Sequence, residues 1–278
     1  MVDFEYKKYY NINDFRNIIA ILRGENGCPW DREQTHASIR RNLLEEAYEV
    51  CEAIDENDPE HLREELGDLL MQVIFHARIE EEAGRFNLDD VADGACKKLI
   101  NRHPHVFGDL EVKDSRQVLQ NWDNIKRVEK SQKTTASAMD DVARSLPALW
   151  RSEKMQNKAR KVGFDWPDID GAMDKLREEL SELQEAIASG DKQNIFEELG
   201  DLLFSVVNVS RFAGVDSEAA LHQACEKFLR RFRYIEEEAA RRGLELSSMS
   251  LDQMEELYQQ GRKALEGKDS SQISQDFA

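Results

Sequence analysis

Acidic residues recur in this chain at spacings that gather carboxylates onto one helix face. Glu46 and Glu49 stand three apart in LLEEAYEVCEAI (43–54), as do Glu65 and Asp68 in EELGDLL (64–70). Projected at about 100° per residue, Glu46 and Glu49 fall on one flank of a stripe formed by Leu43, Ala47, Val50 and Ile54. Glu65 and Asp68 fall on the corresponding flank of a stripe formed by Leu62, Leu66, Leu69 and Val73. Only the short connection ENDPEH (56–61) separates the two segments, which predicts an antiparallel helical hairpin whose second helix starts at Asp58-Pro59. Four carboxylates then face one another, and like charges so placed repel unless a cation neutralises them. Oxygen ligands without paired His or Cys select Mg2+, with Mn2+ as a substitute, and Mg2+ keeps positions for water and phosphate oxygens.

The pattern occurs twice. At an offset of 133 residues, LREELSELQEAI (176–187) overlies 43–54, and EELGDLL returns unchanged at 197–203. Glu179 and Glu182 flank Leu176, Leu180, Leu183 and Ile187, while Glu198 and Asp201 flank Ile195, Leu199, Leu202 and Val206. One E-x-x-E in an acidic protein is usually a solvated face. Two copies that keep all the carboxylate types at one spacing, between spacers that have diverged, favour a metal site. Further on, ACKKLINRH (95–103) lies over ACEKFLRRF (224–232), giving Lys98 with Arg102 and Lys227 with Arg231 as i, i+4 cationic pairs suited to phosphate oxygens. Trp122 with Lys126, and Tyr258 with Arg262, pair a ring that can pack on a base with a cation that can reach a phosphate.

The elements that must position these residues are helices. Across 278 residues, 14 Gly and 5 Pro are too few for the turns of a sandwich, barrel or propeller. The expected fold is all-α: a helical unit duplicated in tandem, residues 1–134 and 135–278, joined through the polar stretch EKSQKTTASAMDD (129–141), with the last dozen residues frayed. A formal charge of −18 disfavours a nucleic-acid polymer or an anionic membrane as partner. No run of about 18 apolar residues and no secretory signal occurs, so the expected location is the cytoplasm. Cys28, Cys51, Cys96 and Cys225 lack zinc-type spacing and read as reduced, partly buried small hydrophobes. His103 and His105 occur in the first copy alone and read as local structure at a Pro break. A P-loop, a G-x-G-x-x-G after a strand and a G-x-S-x-G elbow are all missing.

From ENGCPWD (25–31) through EEAYE, EELGDLL, NRHPHVFGD, SLPALWRSEKMQ and VGFDW to the second EELSE and EELGDLL, the chain resembles the MazG nucleoside triphosphate pyrophosphohydrolases. The resemblance implies helices from each half completing four-helix bundles in a homodimer, and Mg2+-dependent hydrolysis of an NTP, dNTPs included, to NMP and pyrophosphate. It places the better attested site in the second half. There Glu179, Glu182, Glu198 and Asp201 are metal ligands and catalytic residues, and Lys227, Arg231 and Arg262 meet phosphates. Tyr258 stands where the family is expected to have Trp, and Arg262 where it is expected to have Lys. Two other readings remain at this point: a narrower relative, specific for dNTPs or phosphoribosyl-ATP, and a non-catalytic interaction module whose acidic clusters bind metal only to stabilise a bundle.

Overall fold

The computed structural model describes residues 4–129 and 134–273. Every regular element among them is helical. The chain divides into two compact units, Met1–Ile125 and Lys126–Ala278, a division that falls within the helix Ser115–Glu129. Of the expected linker, residues 130–133 lie outside the described residues, and Thr135–Asp140 form a short helix capped by Thr134. Of the expected frayed end, residues 274–278 lie outside the described residues, and the helix before them runs to Ile273. Among the described residues no helix is long and apolar enough to cross a membrane.

In the first unit the order is α1 (Ile12–Arg23), α2 (Pro29–Glu33), α3 (Arg40–Asp55), α4 (Pro59–Glu82), α5 (Leu88–Arg102), α6 (Pro104–Phe107) and α7 (Ser115–Glu129). The α3–α4 hairpin forms as expected, and Asp58 caps α4 by accepting from the backbone N–H groups of Glu60 and His61, with Pro59 supplying a pre-set first residue. The turn before it puts Asn57 at φ 53°, in the left-handed region. α1 packs on the C-terminal half of α4, where Ile19, Ile39, Ile74 and Phe75 form the buried core, with Phe15, Leu22, Met71, Ile79 and Leu88 around it. His103 ends α5, its Nδ1 donating to the Leu99 carbonyl at 2.6 Å, and Pro104 opens α6, in line with the reading of that segment as local structure.

The second unit comprises α8 (Thr135–Asp140), α9 (Ala148–Arg160), α10 (Ile169–Ser189), α11 (Lys192–Ala213), α12 (Ser217–Arg241) and α13 (Leu251–Ile273). Its α10–α11 hairpin turns at Gly190, φ 73°, the position equivalent to Asn57, and Asp191 caps α11 as Asp58 caps α4. Buried positions also correspond at the 133-residue offset: Ile39 with Ala172, Ala53 with Ala186, Gln72 with Ser205, Ile74 with Val207. The Ala pair lets the helices approach closely near the turn. α9 takes the place that α1 has in the first unit, packing on α11 with the Gln156 amide donating to the Phe204 carbonyl at 2.8 Å.

Two expectations need correction. The stripes are only half buried: Ile54, Leu66 and Val73 are exposed, as are Leu180, Ile187, Leu199 and Val206. The residues that do pack against α1 sit one place along, at Ile74 and Phe75, so α4 presents one apolar face to its own unit and a second face to the outside. Cys51, Cys96 and Cys225 are exposed rather than partly buried, and all four cysteines are free.

Candidate functional site

Each hairpin brings three of its four predicted carboxylates together. In the second unit, ligand oxygens of Glu179 and Glu182 from α10 and Glu198 from α11 lie within 4.8 Å of one another. Glu179 is buried, its Oε1 bound by the Lys175 ammonium at 2.8 Å while its Oε2 is buried with no hydrogen-bond partner. A carboxylate oxygen withdrawn from water and left unpaired is costly, and a hard cation at this point would complete it. The residues present therefore fit a metal ion. Burial raises the carboxyl pKa of Glu182 above its ordinary value, with Glu179 and Glu198 adding to the effect against the lowering by Lys175. Glu198 is raised by burial, then by Glu179 and Asp201. Asp201 itself is exposed and stands outside the close group of three, near enough for its charge to be felt there.

The first unit repeats the arrangement with other countercharges. Glu46, Glu49 and Glu65 lie within 4.8 Å of one another, and Asp68, half-buried, is outside the close group. Glu46 is raised by burial first, then by Asp68 and Glu49. The Gln72 amide donates to Glu46 at 3.4 Å, and His61 lies 3.3 Å from Glu65 through Nε2 and 3.2 Å from Glu56 through Nδ1. At the 133-residue offset, Lys175 corresponds to Asn42, Gln72 to Ser205 and His61 to Asn194. These neutralising residues escaped the sequence reading because a comparison of copies finds what they share. For Lys175 a signal did exist: it stands four residues before Glu179, on the same helix face.

The predicted cations sit on the outer helices, Lys98 and Arg102 on α5, Lys227 and Arg231 on α12. Ring contacts run between helices: Arg102 lies over Trp122 of α7 at 5.3 Å from the ring centroid, and Arg231 over Tyr258 of α13 at 5.7 Å. Phe228 of α12 flanks the Tyr258 ring at 6.1 Å. Lys126 and Arg262 follow these rings one turn along α7 and α13. Each unit thus builds the same aromatic–arginine couple from its last long helices, at residues that occupy equivalent places in the repeat.

Comparison with known proteins is consistent with the duplication. A family model described as the MazG nucleotide pyrophosphohydrolase domain matches residues 34–107 and again 169–235, which takes in both hairpins. The chain is 48% identical over 258 residues to the nucleoside triphosphate pyrophosphohydrolase of Escherichia coli K12, covering 91% of this chain and 98% of that one. It is 43% identical over 251 residues to the nucleoside triphosphate pyrophosphohydrolase/pyrophosphatase MazG of Thermotoga maritima, covering 89% of this chain and 95% of that one. Over 256 residues it is 46% identical to YabN of Bacillus subtilis, covering 92% of this chain but 52% of that longer protein.

Proposed function

Since the chain belongs to the MazG nucleotide pyrophosphohydrolase family, we propose that it works as a cytoplasmic Mg2+-dependent homodimer whose second-unit carboxylates form the catalytic centre. It is a nucleoside triphosphate pyrophosphohydrolase, converting NTP and water to NMP and pyrophosphate. The observation that carries the assignment of the centre is the buried, unpaired Oε2 of Glu179 beside Glu182 and Glu198. Glu179, Glu182, Glu198 and Asp201 would hold the metal, which supplies charge screening for the triphosphate and a bound water of raised acidity. Lys227, Arg231 and Arg262 would draw charge from the pyrophosphate leaving group, and Tyr258 would pack on the base. Lys98, Arg102, Trp122 and Lys126 would do the same for Glu46, Glu49, Glu65 and Asp68 in the first copy of the repeat.

A panel of ribo- and deoxyribonucleoside triphosphates incubated with Mg2+, with NMP, NDP, pyrophosphate and orthophosphate resolved, tests this directly. NMP and pyrophosphate should appear in equal amounts. NDP with orthophosphate, or no product, would overturn the reading. Pairing Glu46→Gln with Glu65→Gln in one protein, and Glu179→Gln with Glu198→Gln in another, assigns the turnover to a unit.

The raised carboxyl groups set a pH dependence. A metal needs these groups ionised, and a proton held above the ordinary value of 4.5 competes with it at higher pH. The thermal stabilisation given by Mg2+ should therefore be complete near neutrality and begin to weaken, as pH falls, while still above 4.5. Lys175→Met removes the countercharge of a buried carboxylate, so the acid limb should move up by about one pH unit or more. A limb that stays in place in Lys175→Met would show that Lys175 does not act on the cluster.

A further inference from the structure

A second group of titratable side chains, outside the acidic clusters, lies toward the other end of α4. His36, on the segment between α2 and α3, runs nearly parallel to His76 of α4, the ring planes 11° apart, with the two Nδ1 atoms 2.7 Å apart. The other nitrogen of His36, Nε2, lies 2.5 Å from Oε1 of Glu80, which the Arg85 guanidinium also grips through Nη2 at 2.8 Å. Nε2 of His76 is buried and has no partner.

These contacts limit how many protons the pair can hold. Glu80 is a carboxylate, held down to about 2 by the Arg85 and His36 hydrogen bonds, so it only accepts, and Nε2 of His36 carries a proton. Two nitrogens 2.7 Å apart must be one donor and one acceptor. A neutral pair satisfies this with the shared proton on His76, and a singly charged pair satisfies it with His36 donating through both nitrogens. A further proton sets N–H against N–H and one imidazolium against another. Burial of His76, followed by the charge of His36, already pushes His76 below its ordinary value.

We propose that His36 and His76 form a proton-sensitive latch, which docks the turn 36–39 onto α4 near neutral pH and frees it when both rings are charged. The turn leads directly into α3, which carries Glu46 and Glu49, while α4 carries Glu65. Its other ties are few. Thr35 and Ser38 bond each other, the Thr35 N–H donating to Ser38 Oγ at 2.9 Å and the Ser38 N–H to Thr35 Oγ1 at 3.2 Å. Arg23 of α1 donates to the Gln34 carbonyl at 3.1 Å, and Ile39 anchors the end of the turn in the core. The charged groups around His36 are thus His76 and Glu80 of α4, Arg85 just beyond it, and Arg23, which is answered by Glu82 at 2.8 Å.

The second unit lacks the histidine pair. Ile169, Val209 and Ala213 stand at the positions of His36, His76 and Glu80, and α10 is already helical from Ile169, where the first unit has its separate turn. Release of the latch would let α3 gain the extra turn that α10 has.

Hydrogen exchange on the full chain between pH 7.5 and 5.0, corrected for the intrinsic rate, tests the proposal. The freed state takes its second proton near the ordinary histidine value of 6.5 and the docked state only below it, so docking is complete above 6.5 and weakens as pH falls. The opening constant of amides 36–40 should rise about tenfold per pH unit below 6.5, whereas amides 169–173 should show no such slope. His76→Asn should abolish the slope. His36→Asn, at a more exposed ring, should do so as well, and it serves if the buried substitution fails to fold. A flat wild-type profile, or a slope that survives in His36→Asn, would overturn the latch.

Discussion

Glu198→Gln should lower pyrophosphate release at least about a hundredfold, since losses of 10- to 100-fold are typical even for groups one shell removed from a metal. The substitution keeps the side-chain shape and removes one of the three charges whose oxygens lie within 4.8 Å. It should not unfold the second unit. Glu198 pays for its charge in the metal-free chain, being raised by burial and by Glu179 and Asp201, and a neutral amide relieves that repulsion. The expected signature is a melting temperature equal to or above wild type in chelator, with the increment normally given by Mg2+ largely lost. Asp201→Ala should also abolish turnover, although the residue is exposed, because its carboxylate adds to the negative charge that acts on Glu198. Undiminished pyrophosphate release by either protein would remove the second-unit assignment.

The two sites illustrate what a repeat reveals and what it hides. The hairpins, their caps at Asp58 and Asp191 and the grouping of Glu179, Glu182 and Glu198 were legible because they rest on local rules, namely periodicity, capping and the short connection. The depth of Glu179 was not. Which carboxylate among several at similar spacing becomes buried depends on how the helices pack on one another, which is a tertiary matter. Gln72 and His61 were not legible either, each lying where the copies differ, whereas Lys175, one turn before Glu179, could have been read from its spacing. The stripes were misread for a related reason. A helix that packs on both sides has two apolar faces, and a projection finds one broad band without saying which edge its own unit covers. Leu66 and Val73 belong to the edge left open, and Ile74 to the edge that α1 closes.

That open edge supplies the second large effect. On α11, Phe196, Leu199, Leu203 and Val206 are exposed at spacings of three and four, and on α10 Leu180 and Ile187 are exposed seven apart, the seam of helices that pack side by side. Burying a whole apolar side chain is worth roughly 1.5–3 kcal/mol, and these are already part-covered, so each adds roughly half of that toward holding two hairpins together as a four-helix bundle. Leu199 follows Glu198 directly, and Leu180 sits between Glu179 and Glu182, so a partner laid on the seam would also shield the carboxylates from bulk water. Leu199→Glu places a charge in the middle of that contact, where it must be desolvated without a counter-ion. By light scattering, wild type should have twice the chain mass and Leu199→Glu the mass of one chain, with turnover reduced at least about tenfold. Leu66→Glu, at the equivalent place in the first unit, separates the contributions: if only one of the two substitutions yields single chains, that unit carries the dimer. Should Leu199→Glu remain a dimer with full turnover, the seam is not where the chains meet, and the carboxylates of the second unit work without a partner's cover.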